Sequence, residues 1–532
     1  MSSKVKSFRI FLLAMVLVFT TVISGRIPSA SAETTDFTQL NASQIVFEMG
    51  AGWNLGNQLE LSSNGTPSES TPNVTQASIQ KVKAAGFKTI RIPVSYLNKI
   101  GSAPNYTIDS AWLNRVKTVV DYAYNEGLYV IINIHGDGYN SVPGSWLLVN
   151  SNDQTTIRAK YQKVWQQIAN TFVNYDEHLI FESMNEEFDG TWETPNTTYY
   201  SNLNAYNQIF VDAVRQTGGN NSARWLLIPG WNTSIDYTVG NYGFALPTDN
   251  YRSTAIPSSE KRIMISVHYY SPWDFCGEES GTITQWGATA ANTSKKSTWG
   301  QEDYLDSQLK STYDKFVTQG YPVVVGEFGS ADKTAFDSTN NTYRAAFAKA
   351  VSATARKYGS VPIIWDNGWN GNYGFGLFNR STYTITQQGI IDVIMSVMNT
   401  SKMKNVTTGL YIDGMGRTTD GSNAGQWSAG TSNNQRWIME FYGSYYKIKN
   451  VATGLYLDGM GRTAAGSISG QWSNGSSWNQ RWVLEAYGSN YRIKNVSTGL
   501  YLDGGGNTAN GSDLKQWSSD PSTNLQWQFV NP

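Results

Sequence analysis

The chain has 532 residues, a formal net charge of −1, and only 15 % charged residues. That balance leaves no electrostatic footprint for nucleic acid or an anionic membrane. Aromatic residues reach 13 %, which suits uncharged, ring-shaped ligands as well as large cores. The one cysteine, Cys276, excludes an intrachain disulfide and any multi-cysteine metal site.

The first elements concern targeting. Lys4, Lys6 and Arg9 precede an apolar run over 10–23, and Ala30-Ser31-Ala32 reads as a small-residue cleavage site. Residues 1–32 are therefore expected to be a bacterial-type signal peptide, with the mature protein secreted into the extracellular space. No later stretch reaches the ~20 apolar residues of a membrane span, so no membrane contact is expected of the mature form.

From 33 to 399, strand-like and helix-like segments alternate. Eight apolar runs read as strands: 50–56, 89–94, 128–135, 179–186, 225–230, 263–270, 322–328 and 361–366. Amphipathic stretches at 111–127, 157–174, 204–218, 305–320 and 343–359 read as helices, several closed by a glycine suited to a C-cap. Eight β/α units predict an α/β fold, a (β/α)8 TIM barrel with long loops. A doubly wound sheet is the alternative, but no run is followed by a glycine-rich phosphate loop.

Barrel chemistry sits at the C-terminal ends of strands. Polar residues collect there: Arg91, His135, Asn185 with Glu186, His268 with Tyr270, Glu327, and beside them Trp365. Two carboxylates closing apolar strands are costly unless they have a task or a partner. Two acids across a cleft are the minimal set for glycoside hydrolysis. Ion pairing of Glu186 and Glu327, for instance with Arg91, is the structural alternative. Glu187 follows Glu186 directly, and strand alternation turns the two side chains to opposite faces. The three histidines, His135, His178 and His268, lack any metal-ligand spacing, so neither metal nor cofactor is expected.

These strand ends resemble glycoside hydrolase family 5, the cellulase and mannanase family. The resemblance rests on Gly52-Trp53-Asn54-Leu55-Gly56-Asn57, Phe181 to Glu186, Val267-His268-Tyr269-Tyr270 and Gly326-Glu327-Phe328-Gly329. It implies that Glu186 is the general acid/base and Glu327 the nucleophile. It further implies that Asn185 holds the sugar 2-hydroxyl and that Arg91 and Tyr270 keep the nucleophile ionised. His135 and His268 would form subsites, and Trp365 would lie under the reactive sugar. Members are retaining, so the two carboxyl groups are expected about 5–5.5 Å apart. Gly136 departs from related members, which often carry a second histidine there.

The C-terminal region, 400–532, repeats itself. Asn405-Val406-Thr407-Thr408-Gly409-Leu410-Tyr411 returns 45 residues on, at Asn450, and again at Asn495. Each copy carries an Asp-Gly pair (Asp413, Asp458, Asp503), a first tryptophan (Trp427, Trp472, Trp517) and a second (Trp437, Trp482, Trp527). Short alternating runs broken by Gly, Asn and Ser predict strands and turns, and three such units must share one core. The repeat resembles the ricin-B-type lectin β-trefoil through Asn434-Gln435-Arg436-Trp437 and Asn479-Gln480-Arg481-Trp482. The third copy departs with Asn524-Leu525-Gln526-Trp527. The second tryptophans are expected in the core. The Asp and first tryptophan of each copy are candidate sugar contacts, because a pyranose has an apolar face for a ring and hydroxyls for a carboxylate. An Asp-Gly pair also makes a hairpin turn.

The expectation is thus a secreted, monomeric, retaining endo-β-1,4-glycanase. Its substrate would be a plant cell-wall polysaccharide, foremost a β-1,4-glucan such as cellulose. A β-1,4-mannanase or xyloglucanase is the near alternative. A catalytically inactive carbohydrate-binding protein is the distant one.

Overall fold

A computed structural model describes residues 40–442 and 444–531. The expected signal peptide lies outside the described residues. Eight parallel strands close into a barrel: β1 (Gly52–Asn54), β2 (Thr89–Ile92), β3 (Tyr129–Ile132), β4 (Leu179–Glu182), β5 (Leu226–Pro229), β6 (Ile263–Tyr269), β7 (Val323–Phe328) and β8 (Ser360–Ile364). All eight fall within the runs read from sequence, apart from the first residue of β8. The closure is explicit at Gly52, which pairs with Thr89 on one side and Ile363 on the other. That ring excludes the doubly wound sheet. Every strand residue is buried, as strands covered on both faces require.

Helices α1 (Ala42–Met49), α2 (Gln76–Ala84), α3 (Ser110–Tyr124), α4 (Gln154–Thr171), α5 (Thr197–Gln216), α6 (Glu302–Lys315), α7 (Asn340–Lys357) and α8 (Gln388–Met398) accompany the strands. Asp109, Asp153 and Asn196 cap α3, α4 and α5 by accepting from backbone N–H groups of the first turn. Gly127, Gly218, Gly320 and Gly359 follow the helices with φ of 72°, 70°, 83° and 65°, the left-handed stop that glycine alone adopts freely. Helices α1, α2 and α8 escaped the sequence reading, being short and either weakly patterned or apolar over most of their length. In α1, Ile45 and Met49 pack with Tyr129, Ile131 and Trp225, closing the barrel at the end opposite the strand C-termini.

Residue Asn399 alone separates α8 from the first strand of the C-terminal sheet, Thr400–Asn405. In that sheet three similar units interlock. Trp437, Trp482 and Trp527 are fully buried, and each indole N–H donates over 3.0 Å to the carbonyl of Ile412, Leu457 or Leu502. The amides of Gln426, Gln471 and Gln516 donate to Gly504, Gly414 and Gly459, each in a different copy, so the three units close cyclically. That shared core is why no single copy could stand alone.

The sheet is seated on α1. Phe47 packs on Tyr491 and Phe529 with ring centroids 5.5 and 4.6 Å away. Lys88 lies over the rings of Phe47, Phe441 and Tyr446 and donates to the Tyr446 hydroxyl at 3.1 Å. Gln44 donates to the carbonyls of Gly488 and Asn490, and Arg356 to Ser401 Oγ and Asn531 Oδ1. The two units therefore share a desolvated aromatic and cationic seam.

Candidate active site

At the open end of the barrel, one guanidinium ties four strand ends together. Arg91, fully buried, donates from Nε to Glu182 at 2.7 Å, from Nη1 to Glu327 at 2.7 Å and Asn54 at 3.0 Å, and from Nη2 to Asn185 at 2.8 Å. The planar fork of arginine suits this task, since its donors are fixed in one plane. Burial works against its charge, but Glu182 and Glu327 more than restore it.

Glu327 ends β7 and also accepts from the Tyr270 hydroxyl at 2.9 Å. Glu186 stands four residues beyond Glu182, in the loop that leaves β4, and that loop brings both Asn185 and Glu186 to the cleft. The Nδ1 of His268 lies 2.6 Å from Glu186 and 3.7 Å from Glu327, so one imidazole serves both acids. The ligating atoms of Glu186, His268 and Glu327 all lie within 4.8 Å of one another. Burial pushes the Glu327 carboxyl upward, and the Glu186 charge adds to it against the pull of His268 and Arg91. Burial also raises Glu186, but the hydrogen bond to His268 and the charges of His268 and Arg91 carry it below the usual carboxylate range. These two directions run opposite to the expected roles, in which Glu186 carries the proton and Glu327 the charge, because in the empty cleft His268 and Arg91 favour the Glu186 charge while burial and Glu186 itself oppose that of Glu327.

His135 stacks over Trp365 at 6.2 Å with 9° between planes, and burial beside Arg91 pushes the imidazole strongly toward its neutral form. Trp365 is only partly buried, and its ring crowds Gly56, where a Cβ would approach within 2.7 Å. His178 lies away from this cluster, stacked on Tyr129 and paired with Asp176 at 3.0 Å.

The structure thus gathers Arg91, His135, Asn185, Glu186, His268, Tyr270, Glu327 and Trp365 at one end of the barrel. A family model for cellulase, glycosyl hydrolase family 5, matches residues 54–371, spanning all of these. The chain belongs to glycoside hydrolase family 5. Its family 5 relatives include Endoglucanase A of Paenibacillus barcinonensis, 68 % identical over 401 residues, which cover 75 % of this chain and 100 % of that protein. Endoglucanase B of Clostridium cellulovorans is 35 % identical, over 72 % of this chain and 82 % of its own. A solved family 5 xyloglucanase from Paenibacillus pabuli superposes with a TM-score of 0.66 at 75 % identity, covering 66 % of this chain and 99 % of its own. The model of the ricin-type beta-trefoil lectin domain-like family matches 396–472, 440–517 and 478–531.

The family 5 site contains residues that the sequence reading passed over. Glu182 is wholly buried and accepts from Arg91, Asn133 at 2.9 Å and Ser266 at 2.7 Å. Its signal was a charge inside an apolar strand run. Tyr139 accepts from Asn185 at 2.8 Å and faces Glu186 at 3.4 Å. It is carried there by the loop that turns at Gly136, where φ is 79°. A Cβ at Gly136 would meet the Tyr139 ring at 3.9 Å, an ordinary contact, so it is the positive φ and not space for the tyrosine that favours glycine there. Glu187, unlike Glu186, is wholly buried, although both lie in the loop beyond β4, where strand alternation does not apply. It has no protein donor to either carboxylate oxygen among the described residues. Burial, with Asp137 and Glu186 nearby, pushes its carboxyl well above the ordinary range.

In the lectin-like unit, Trp427, Trp472 and Trp517 are 42 %, 43 % and 40 % exposed. Their partners Asp413, Asp458 and Asp503 are nearly buried, and each accepts from the backbone N–H two residues on. The aspartates therefore shape the turn, with one oxygen committed to it. Gln435 and Gln480 are loop latches, each donating to one carbonyl (Ser428, Ser473) and accepting from one N–H (Gly430, Gly475). Leu525 replaces that latch with a buried apolar contact.

Proposed function

We propose that the protein is a secreted, monomeric, retaining endo-β-1,4-glucanase made of a catalytic unit over 33–399 and a carbohydrate-binding trefoil over 400–532. The observation that carries this reading is the Glu186–Glu327 pair, whose oxygens approach within 4.8 Å. So close an approach suits the short carboxyl separation of a double displacement better than the wider one that inversion needs. Glu327, aligned by Arg91 and Tyr270, attacks the anomeric carbon while Glu186, 2.6 Å from His268 Nδ1, protonates the departing oxygen. The glycosyl–Glu327 ester then forms, and Glu186 takes a proton from the water that hydrolyses it. Asn185, held by Arg91 and Tyr139, faces the 2-hydroxyl, and Trp365 carries the apolar face of the sugar.

The endoglucanase relatives support a β-1,4-glucan substrate, and the 75 % identity to a xyloglucanase favours xyloglucan as the second reading. Hydrolysis of carboxymethylcellulose, lichenan, glucomannan and xyloglucan side by side separates these. In the trefoil, Trp427 with Asp413, Trp472 with Asp458 and Trp517 with Asp503 are the proposed sugar contacts. The mechanism is tested with Glu327→Ala. Turnover should vanish and return in part with azide, giving a product of inverted configuration. Near-normal polymer hydrolysis by that variant would sink the assignment.

A further inference from the structure

One feature of the trefoil breaks its three-fold symmetry. Position 478 is Trp, while the equivalent positions hold Asn433 and Thr523. Tyr445 likewise stands where the next copy has Asn490. The two substitutions meet in space. Tyr445 lies 6.3 Å from Trp478 and 5.7 Å from Tyr442, the two tyrosine rings being 11° from parallel. The Arg481 guanidinium rests 3.8 Å from the Trp478 centroid and 4.6 Å from that of Tyr445.

The Tyr442 hydroxyl donates to Glu440 at 3.4 Å, and among the described residues the rings otherwise meet one another and Arg481. Trp478 is 55 % exposed and Tyr442 51 %, whereas the core tryptophan of the same copy, Trp482, is fully buried. The equivalent hairpin tip of the next copy is consumed by docking, because Gly488 and Asn490 accept from Gln44 of α1. The corresponding Tyr442 is exposed instead, and Tyr445 half-buried. An exposed indole, ordered by stacking on a cation, has already lost the entropy that binding would otherwise cost.

We propose that Tyr442, Tyr445, Trp478 and Arg481 form a further polysaccharide-binding platform, separate from the three Asp–Trp pairs, whose ligand is an extended β-1,4-glucan chain. This rests on the proposed glucanase activity. Three chemical arguments select that occupant. Two stacked tyrosines with an indole tilted 47° beside them offer a glycan more than one ring, whereas each Asp–Trp pair offers one. Among the described residues Arg481 donates only to the Ser476 carbonyl, at 3.3 Å, which leaves further N–H groups for hydroxyls. The same chain carries a cleft for a polymeric glycan, so a strand longer than the cleft can be held at a second point by avidity.

The test uses the full-length enzyme and two substitutions taken from its own repeats, Trp478→Asn and Tyr445→Asn, which the fold already accommodates at equivalent positions. Binding is read by depletion onto phosphoric-acid-swollen cellulose, with hydrolysis of soluble cellohexaose alongside. Each variant should bind the swollen cellulose about three- to tenfold more weakly, the worth of one aromatic contact. Cellohexaose turnover should stay at the parent rate. An Asp413→Asn, Asp458→Asn, Asp503→Asn triple variant should keep the platform's share of binding. Unchanged retention of both aromatic variants would overturn the platform, as would complete loss of binding in the triple variant. Absence of cellohexaose hydrolysis by the parent enzyme would instead overturn the underlying activity.

Discussion

Replacing Arg91 by lysine keeps the charge and removes the fork. The guanidinium makes four hydrogen bonds to four side chains, two of them carboxylates, from a fully buried position. An ammonium has three donors on one atom and cannot reach Glu182, Glu327 and Asn185 in the same plane. At least one charge-assisted bond is lost, at about 1.5–3 kcal/mol, so Arg91→Lys should destabilise the enzyme by roughly that amount. Arg91→Met, which leaves both carboxylates uncompensated, should cost about 3–5 kcal/mol. Loss of a fixed donor to the charged nucleophile should lower kcat about 10²–10³-fold. Tyr270→Phe separates the two effects, because it removes one Glu327 contact and none to Glu182. It should reduce kcat with little change in melting. Thermal denaturation and cello-oligosaccharide kinetics on the same preparations read both quantities. Arg91→Lys with unchanged Tm and kcat/KM within about threefold of the parent would refute the reasoning.

Glu187→Gln should stabilise the enzyme increasingly as pH rises. The folded carboxyl titrates above its unfolded value, so the native state holds a proton that unfolding releases. Its stability is full below the unfolded value near 4.5 and falls as pH climbs toward the folded one, a slope that glutamine lacks. A Tm difference that does not vary between acid and mildly alkaline pH would contradict this. Trp365→Ala should lower kcat/KM strongly while leaving the Tm nearly unchanged, since the ring is only partly buried; circular dichroism melts and kinetics decide. Deleting 400–532 should leave an active barrel that melts lower and aggregates, because Phe47 and Lys88 lose their aromatic cover. Phe47→Ser in the truncated protein should restore solubility, as light scattering would report.

The eight strands and the two glutamates were legible because both depend on local rules. Buried parallel strands are continuous apolar runs, and a carboxylate at the end of such a run has few innocent explanations. Internal repetition likewise revealed a three-fold β unit, since identical spacing needs identical cores. What sequence spacing could not decide is how distant segments share charge and surface. Glu182 looked like part of a strand until Arg91, 91 residues earlier, was seen to bind it together with Glu327. Asn-Gln-x-Trp in the repeats marked the likeness to the lectin family, but that Gln435 and Gln480 hold loops is visible only in their carbonyl and N–H partners. The seating of the trefoil on α1 was equally hidden. Phe47 and Phe529 lie at opposite ends of the chain, and no periodicity relates them. Local propensity acts over a few residues, whereas desolvation and ion pairing act over a few ångströms in space. Only the folded chain turns the second into neighbours.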